Sequence, residues 1–130
     1  MDAQTLLQSP WFHVTRRGSV LEVARTDRGF ETLGELDRAH FELFQVLDAL
    51  PRARCSIVVD LRLAPPRNDP DFEQAMLRHR PRLFEGFARR AVVVRSAVGR
   101  LNVQRHAKTD GHDDLAVFTD LDAAFQHAAA

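Results

Sequence analysis

Apolar and polar positions change period several times along the chain, and each change marks an element. Trp11-Phe12-His13-Val14-Thr15-Arg16 and Val20-Leu21-Glu22-Val23-Ala24-Arg25 alternate loosely and are rich in strand formers. The Gly-containing break Arg17-Gly18-Ser19 between them predicts a β-hairpin. Residues 1–10 are polar with no clear period and are expected to be a flexible N-terminus. After a polar loop containing Gly29, the period becomes helical: Leu33, Leu36, Ala39/His40, Phe44, Leu47 and Leu50 recur on one face. Thr32 is placed to cap this helix, Glu35 completes a capping box, and Pro51 stops it.

The second half alternates strand and helix. Cys55-Ser56-Ile57-Val58-Val59-Asp60-Leu61 is short, β-branched and almost wholly apolar, the pattern of a strand covered on both faces. Ala64-Pro65-Pro66-Arg67-Asn68 follows as a rigid loop, and Asp69 then Pro70 stand at the N-cap and first position of a helix. Phe72, Ala75/Met76, His79 and Leu83 carry its stripe, which Pro81 is expected to kink or split. Ala91-Val92-Val93-Val94 reads as a second buried strand. Residues 98–108 fit helix and strand patterns alike; helix is the favoured reading. Leu115-Ala116-Val117-Phe118 is a short strand, and Asp120 caps a last helix that turns Phe125 inward. The order predicts an α/β fold: an N-terminal hairpin, then alternating helices and strands, in a mixed, mostly parallel sheet covered by helices.

A length of 130 residues suits one domain over 11–130. No apolar run approaches the roughly 18 residues of a membrane span, and the start lacks the basic and apolar regions of a secretory signal. With a single cysteine, Cys55, the expected setting is the cytoplasm, without a disulfide framework. Eighteen basic and 18 acidic residues balance overall but not locally. Residues 1–51 hold 5 basic and 8 acidic groups, residues 52–108 hold 13 and 5, and residues 109–130 hold 0 and 5. The basic middle is expected to pair with the acidic ends.

Candidate chemistry is sparse. The chain has no Gly-rich phosphate loop, nucleophile elbow, His-Glu-x-x-His helix or Cys-x-x-Cys pair, so neither an enzyme nor a cofactor site is expected. His106, His112, Asp113 and Asp114 match no ordered ligand pattern, and no metal is expected there. His40 and His79 fall at apolar helix faces as core-edge residues, and Cys55 reads as a small hydrophobe. Asp60 and Asp69 bracket a loop without a second catalytic group beside them. Arg78, Arg80 and Arg82, with Arg89-Arg90 beyond, form the densest basic patch. Nucleic acid is not the expected partner, because Phe84 and Phe87 have core spacing and the chain is neutral.

Three segments, in this order, carry a resemblance: Ile57-Val58-Val59-Asp60-Leu61, Arg90-Ala91-Val92-Val93-Val94, and Val117-Phe118-Thr119-Asp120-Leu121-Asp122-Ala123-Ala124. With the element order over Phe12 to Ala128, they resemble the STAS domain, in particular its single-domain bacterial branch of anti-sigma-factor-antagonist-like and lipid-transfer-like proteins. The resemblance implies a non-enzymatic regulatory module that binds another bacterial regulatory protein; a second copy of the chain is a further candidate partner. In antagonists an Asp-Ser-Ser-Gly signature with a phosphorylated serine opens the second helix. Here Asn68, Asp69, Pro70 and Asp71 stand at that place, so the phosphorylation switch is not carried over. The partner surface expected from this is Arg62, Pro65, Pro66, Arg67, Asn68, Asp69 and Asp71, with Arg78, Arg80 and Arg82 as a secondary basic patch. The alternative is a carrier or sensor of a small apolar, lipid-like ligand, its pocket lined by Phe41, Phe44, Phe72, Phe84 and Phe87.

Overall fold

The computed structural model describes residues 3–67, 69–112 and 114–130. Among these residues the chain forms six strands and four α-helices: β1 (Gln4–Gln8), β2 (Phe12–Arg17), β3 (Val20–Arg25), α1 (Leu33–Asp48), β4 (Ser56–Asp60), α2 (Pro70–Phe84), β5 (Arg90–Val93), α3 (Ala97–Thr109), β6 (Ala116–Phe118) and α4 (Leu121–Ala129). The strands lie side by side in chain order. β1, β2 and β3 pair antiparallel, and β3 to β6 pair parallel. This is the α/β architecture expected from the pattern, with one added strand.

That strand is β1. Residues Gln4–Gln8 are not a flexible start but pair with β2, from Gln4 opposite Arg16 to Gln8 opposite His13. The register slips between Thr5 and Leu7, a bulge. Leu6 and Leu7, adjacent in sequence, are both half-buried against the core, so strict alternation is lost.

Parallel strands need long connections, and right-handed crossovers taken in one direction put their helices on one face. α1, α2 and α3 accordingly share a face and close the main core with Leu21, Ile57, Val59 and Val92. α4, which follows the last strand, covers the opposite face, packing Ala124 and Ala128 on Val58, Ala91 and Val93. β4 is thus buried throughout. Each of its fully buried Ile and Val side chains contributes roughly 1.5–3 kcal/mol.

The helix starts follow the expected chemistry. Thr32 Oγ1 accepts the Glu35 amide at 3.0 Å, while the Glu35 carboxylate accepts the amide of Glu31 at 3.1 Å. Asp69 and Ser96 accept the amides of Phe72 and Gly99 in the same way. Residues 98–108 are helical, and Phe125 packs against the α4-side core. The split expected at Pro81 does not occur. α2 runs uninterrupted to Phe84, because a proline three residues from the end removes a single bond to the preceding turn.

Candidate functional site

β4 ends inside the molecule, and its last residue, Asp60, is buried at 8% exposure. Its carboxylate accepts the backbone amide of Arg62 at 3.1 Å and that residue's Nε and Nη2 at 3.0 and 2.8 Å. This hydrogen bonding raises the pKa of the Arg62 guanidinium. The chain then turns, the Ala64 amide donating to the Leu61 carbonyl at 3.1 Å.

Arg67, expected to be displayed to a partner, is instead turned back onto the protein and half-buried. Its Nε donates to Asp69 at 2.6 Å, its Nη1 donates to the Phe30 carbonyl at 2.7 Å, and its guanidinium lies 5.0 Å from the Phe72 ring centre. The Arg67 hydrogen bond holds the Asp69 carboxyl below the usual carboxylate range. Pro65, Pro66 and Asp71 are exposed as expected, and Asn68 lies outside the described residues. Leu63 is 62% exposed on the same loop. The sequence reading missed it, although an isolated leucine between two turn segments carries no periodic signal that would place it inside.

The basic helix face is also largely paired. Arg78 lies 3.5 Å from Asp37, and Arg82 lies 2.8 Å from Asp48. Arg80 is not on the surface patch at all. Its guanidinium, 15% exposed, makes a two-point contact with Asp110, which is 4% exposed. A two-pronged contact between buried groups strengthens a charged hydrogen bond and fixes its geometry. Arg52, which the sequence did not single out, ties down the end of α2, donating to the Arg82 and Glu85 carbonyls at 2.8 Å each. Those carbonyls belong to a helix end that has no further turn to satisfy them.

His40 and His79 stack at 4.5 Å between α1 and α2 with rings 7° apart. His40 Nδ1–H donates to the Leu36 carbonyl at 2.8 Å, and His79 Nε2–H donates to Asp37 at 2.8 Å. Burial pushes His40 down to about 4. Both histidines are thus satisfied members of the helix interface, and Cys55 is buried at 1% exposure. His112 donates to the Pro81 carbonyl at 3.1 Å, His106 stands 3.7 Å from Glu73, and Asp114 pairs with Arg90; Asp113 lies outside the described residues. Among the described residues no three His, Cys, Asp or Glu side chains converge to hold a metal.

Beneath the loop, between α2 and α3, lies a cavity of about 230 Å³. Its floor includes Val59 and Val92 of the sheet, and its walls include Met76, Leu83, Val103 and Leu115. Only two of the five phenylalanines expected to line a pocket reach it, Phe72 and Phe84. Phe44 and Phe87 are sealed in the main core. Phe41 is 63% exposed, because it falls about 130° round α1 from the centre of the buried stripe.

No protein-family model matches the sequence, and no curated protein matches it. Among solved structures, the chain is similar to an anti-sigma factor antagonist from Mycobacterium paratuberculosis, with a TM-score of 0.57 and 17% sequence identity. The likeness covers 99% of this chain and 96% of that one. The chain therefore shares the fold of that protein over its whole length, as the order of its strands and helices implied.

Proposed function

We propose that the protein is a non-enzymatic regulatory module that binds another regulatory protein through the loop after β4 and the first turn of α2. One observation carries this reading: the loop's arginines are consumed internally, while its apolar tips face solvent. Arg62 and Arg67 hold the loop from within, and two prolines stiffen it, so Leu63, Pro65 and Pro66 are presented in a fixed arrangement. A surface that is already ordered loses less conformational entropy on binding. An exposed leucine beside prolines supplies an apolar anchor, and Asp71 and Glu73 in the first turn of α2 add an acidic margin. The partner surface that complements this is an apolar depression edged by Arg or Lys. Similarity to the fold of an anti-sigma factor antagonist supports the same class of role.

Ser and Thr are absent from Ala64 to Phe72, so this surface is read constitutively, without a phosphate switch at that place. The cytoplasm is the compartment in which such a regulator would act. Affinity capture from the native host with wild type and Leu63→Asp tests the reading. The expected result is a protein retained by wild type and lost by Leu63→Asp, with both proteins melting at the same temperature. A partner retained equally by Leu63→Asp and Asp71→Arg would place the contact elsewhere.

A further inference from the structure

The cavity between α2 and α3 differs from an ordinary packing gap in one respect: a half-buried guanidinium, that of Arg25, lines it without a carboxylate partner among the described residues. Other arginines held by contacts within the protein each meet a carboxylate: Arg52 with Asp48, Arg62 with Asp60, Arg67 with Asp69, Arg80 with Asp110, and Arg90 with Asp114. Arg25, at the end of β3, meets none among the described residues. Its Nε donates to the Trp11 carbonyl at 3.2 Å and its Nη2 to the Arg28 carbonyl at 2.9 Å. Its plane lies over Phe30 at 4.5 Å, and Nη1 has no protein acceptor among the described residues. Burying a charge is costly unless it is paired and hydrogen-bonded. Two carbonyls and an aromatic face offset part of that cost, and an anion in the cavity would offset the rest.

We propose that this cavity binds a small amphipathic carboxylate, its carboxylate at Arg25 and its apolar tail between Phe72, Met76, Leu83, Val103 and Leu115. Arg67 and Arg80 also reach the cavity, but they are paired with Asp69 and Asp110, so Arg25 is the guanidinium of the lining that no carboxylate meets among the described residues. Arg67 bonds the carbonyl of the same Phe30 whose ring carries Arg25, so two guanidiniums flank one end while the walls beyond are apolar. Size restricts the class further. Pockets for drug-sized ligands run to about 300–1,000 Å³, and 230 Å³ suits a smaller molecule, such as a single short acyl chain, and excludes a two-chain lipid. Burial lowers the Arg25 pKa to about 10, still far above neutrality, so the guanidinium keeps its charge for the ligand.

This proposal stands independently of the partner-binding reading, since none of its probes involves a protein partner. The test is a calorimetric titration with octanoate, 1-octanol and inorganic phosphate against wild type, Arg25→Gln and Val103→Phe, the last filling the cavity. Octanoate is expected to bind wild type at least tenfold more tightly than octanol, with phosphate not binding. Arg25→Gln should erase the preference for octanoate over octanol, and Val103→Phe should abolish octanoate binding. Equal binding of octanol and octanoate, phosphate binding as tight as octanoate, no octanoate binding, or an unchanged preference in Arg25→Gln would each overturn the proposal. If Arg25→Gln does not fold, wild type and Val103→Phe decide it: octanoate binding undiminished by Val103→Phe would remove the ligand from this cavity.

Discussion

α2 has two flanks, and they are built differently. Against α1 it is closed: Phe44, His40 and His79 fill the interface with rings whose centres lie 4.5–6.0 Å apart. Against α3 it is open: α3 buries a single residue among those described, Ala107, and the cavity occupies the space between. Flat aromatic side chains tile the α1 side, whereas on the α3 side the short side chains of Val103 and Ala107 border the cavity together with Met76 and Leu83. Polar contacts cross both flanks. On the closed flank the histidines bond within the protein; on the open flank Arg80 pairs with Asp110 at the end of α3, while Arg25 is left without a carboxylate among the described residues. One helix thus serves as both a stability joint and the wall of a recess.

The contrast predicts unequal responses to truncation. Phe44→Ala, on the closed flank, should lose about 3–5 kcal/mol, because the removed ring leaves a cavity that rigid neighbours cannot refill. An unfolding free energy from urea titration lowered by less than a third of that would mean that the two flanks are equally loose.

A second prediction uses acid to load the closed flank. His40 titrates at about 4 in the folded protein, against an ordinary value of 6.5, chiefly because burial disfavours its charged form. His79, Arg25 and Asp37 face it, and the two cations push in the same direction. The unfolded chain therefore binds a proton that the folded chain refuses. The stabilisation is complete above pH 6.5 and is lost as the pH falls through about 4, amounting to about 3 kcal/mol at full effect. His106, also lowered by burial, adds a slope of the same sign, so the diagnostic comparison is with His40→Leu. Between pH 6.5 and 4.5 wild type should lose stability more steeply than this variant; parallel curves would remove His40 as the source.

The smallest effect is expected on the open flank. Val103→Ala enlarges a recess that already exists and should cost under about 1 kcal/mol, a fraction of a typical buried truncation. A larger loss would show that α3 is held as tightly as α1.

How far the sequence disclosed this arrangement depends on the range of the signal. Periodicity and caps are local, so the hairpin, the helices beginning at Thr32 and Asp69, and the doubly covered β4 were legible from neighbouring residues. β1 was not, because its bulge sets Leu6 beside Leu7 and breaks the alternation by which strands are recognised. The inward turn of Arg67 and Arg80 was hidden for another reason. Their partners, Phe30 and Asp110, lie 37 and 30 residues away, and an arginine near carboxylates in sequence looks the same whether it is displayed or folded in. Phe41 was misassigned to a pocket by residue type, though its angle on the helix wheel placed it outside. The cavity depends on β3, α2 and α3 meeting at the end of the sheet, a geometry that no single stretch of sequence encodes.

The bulge in β1 has a further consequence at the rim of the sheet. An open edge of unpaired amides and carbonyls is a template on which strands of other molecules can assemble. On one side the slip between Thr5 and Leu7 interrupts that template halfway along a strand of five residues. On the other side β6 offers three residues, too few for a lasting ladder. Aggregation through added strands is thus discouraged at both margins by backbone irregularity and brevity, without a charged residue in either β1 or β6.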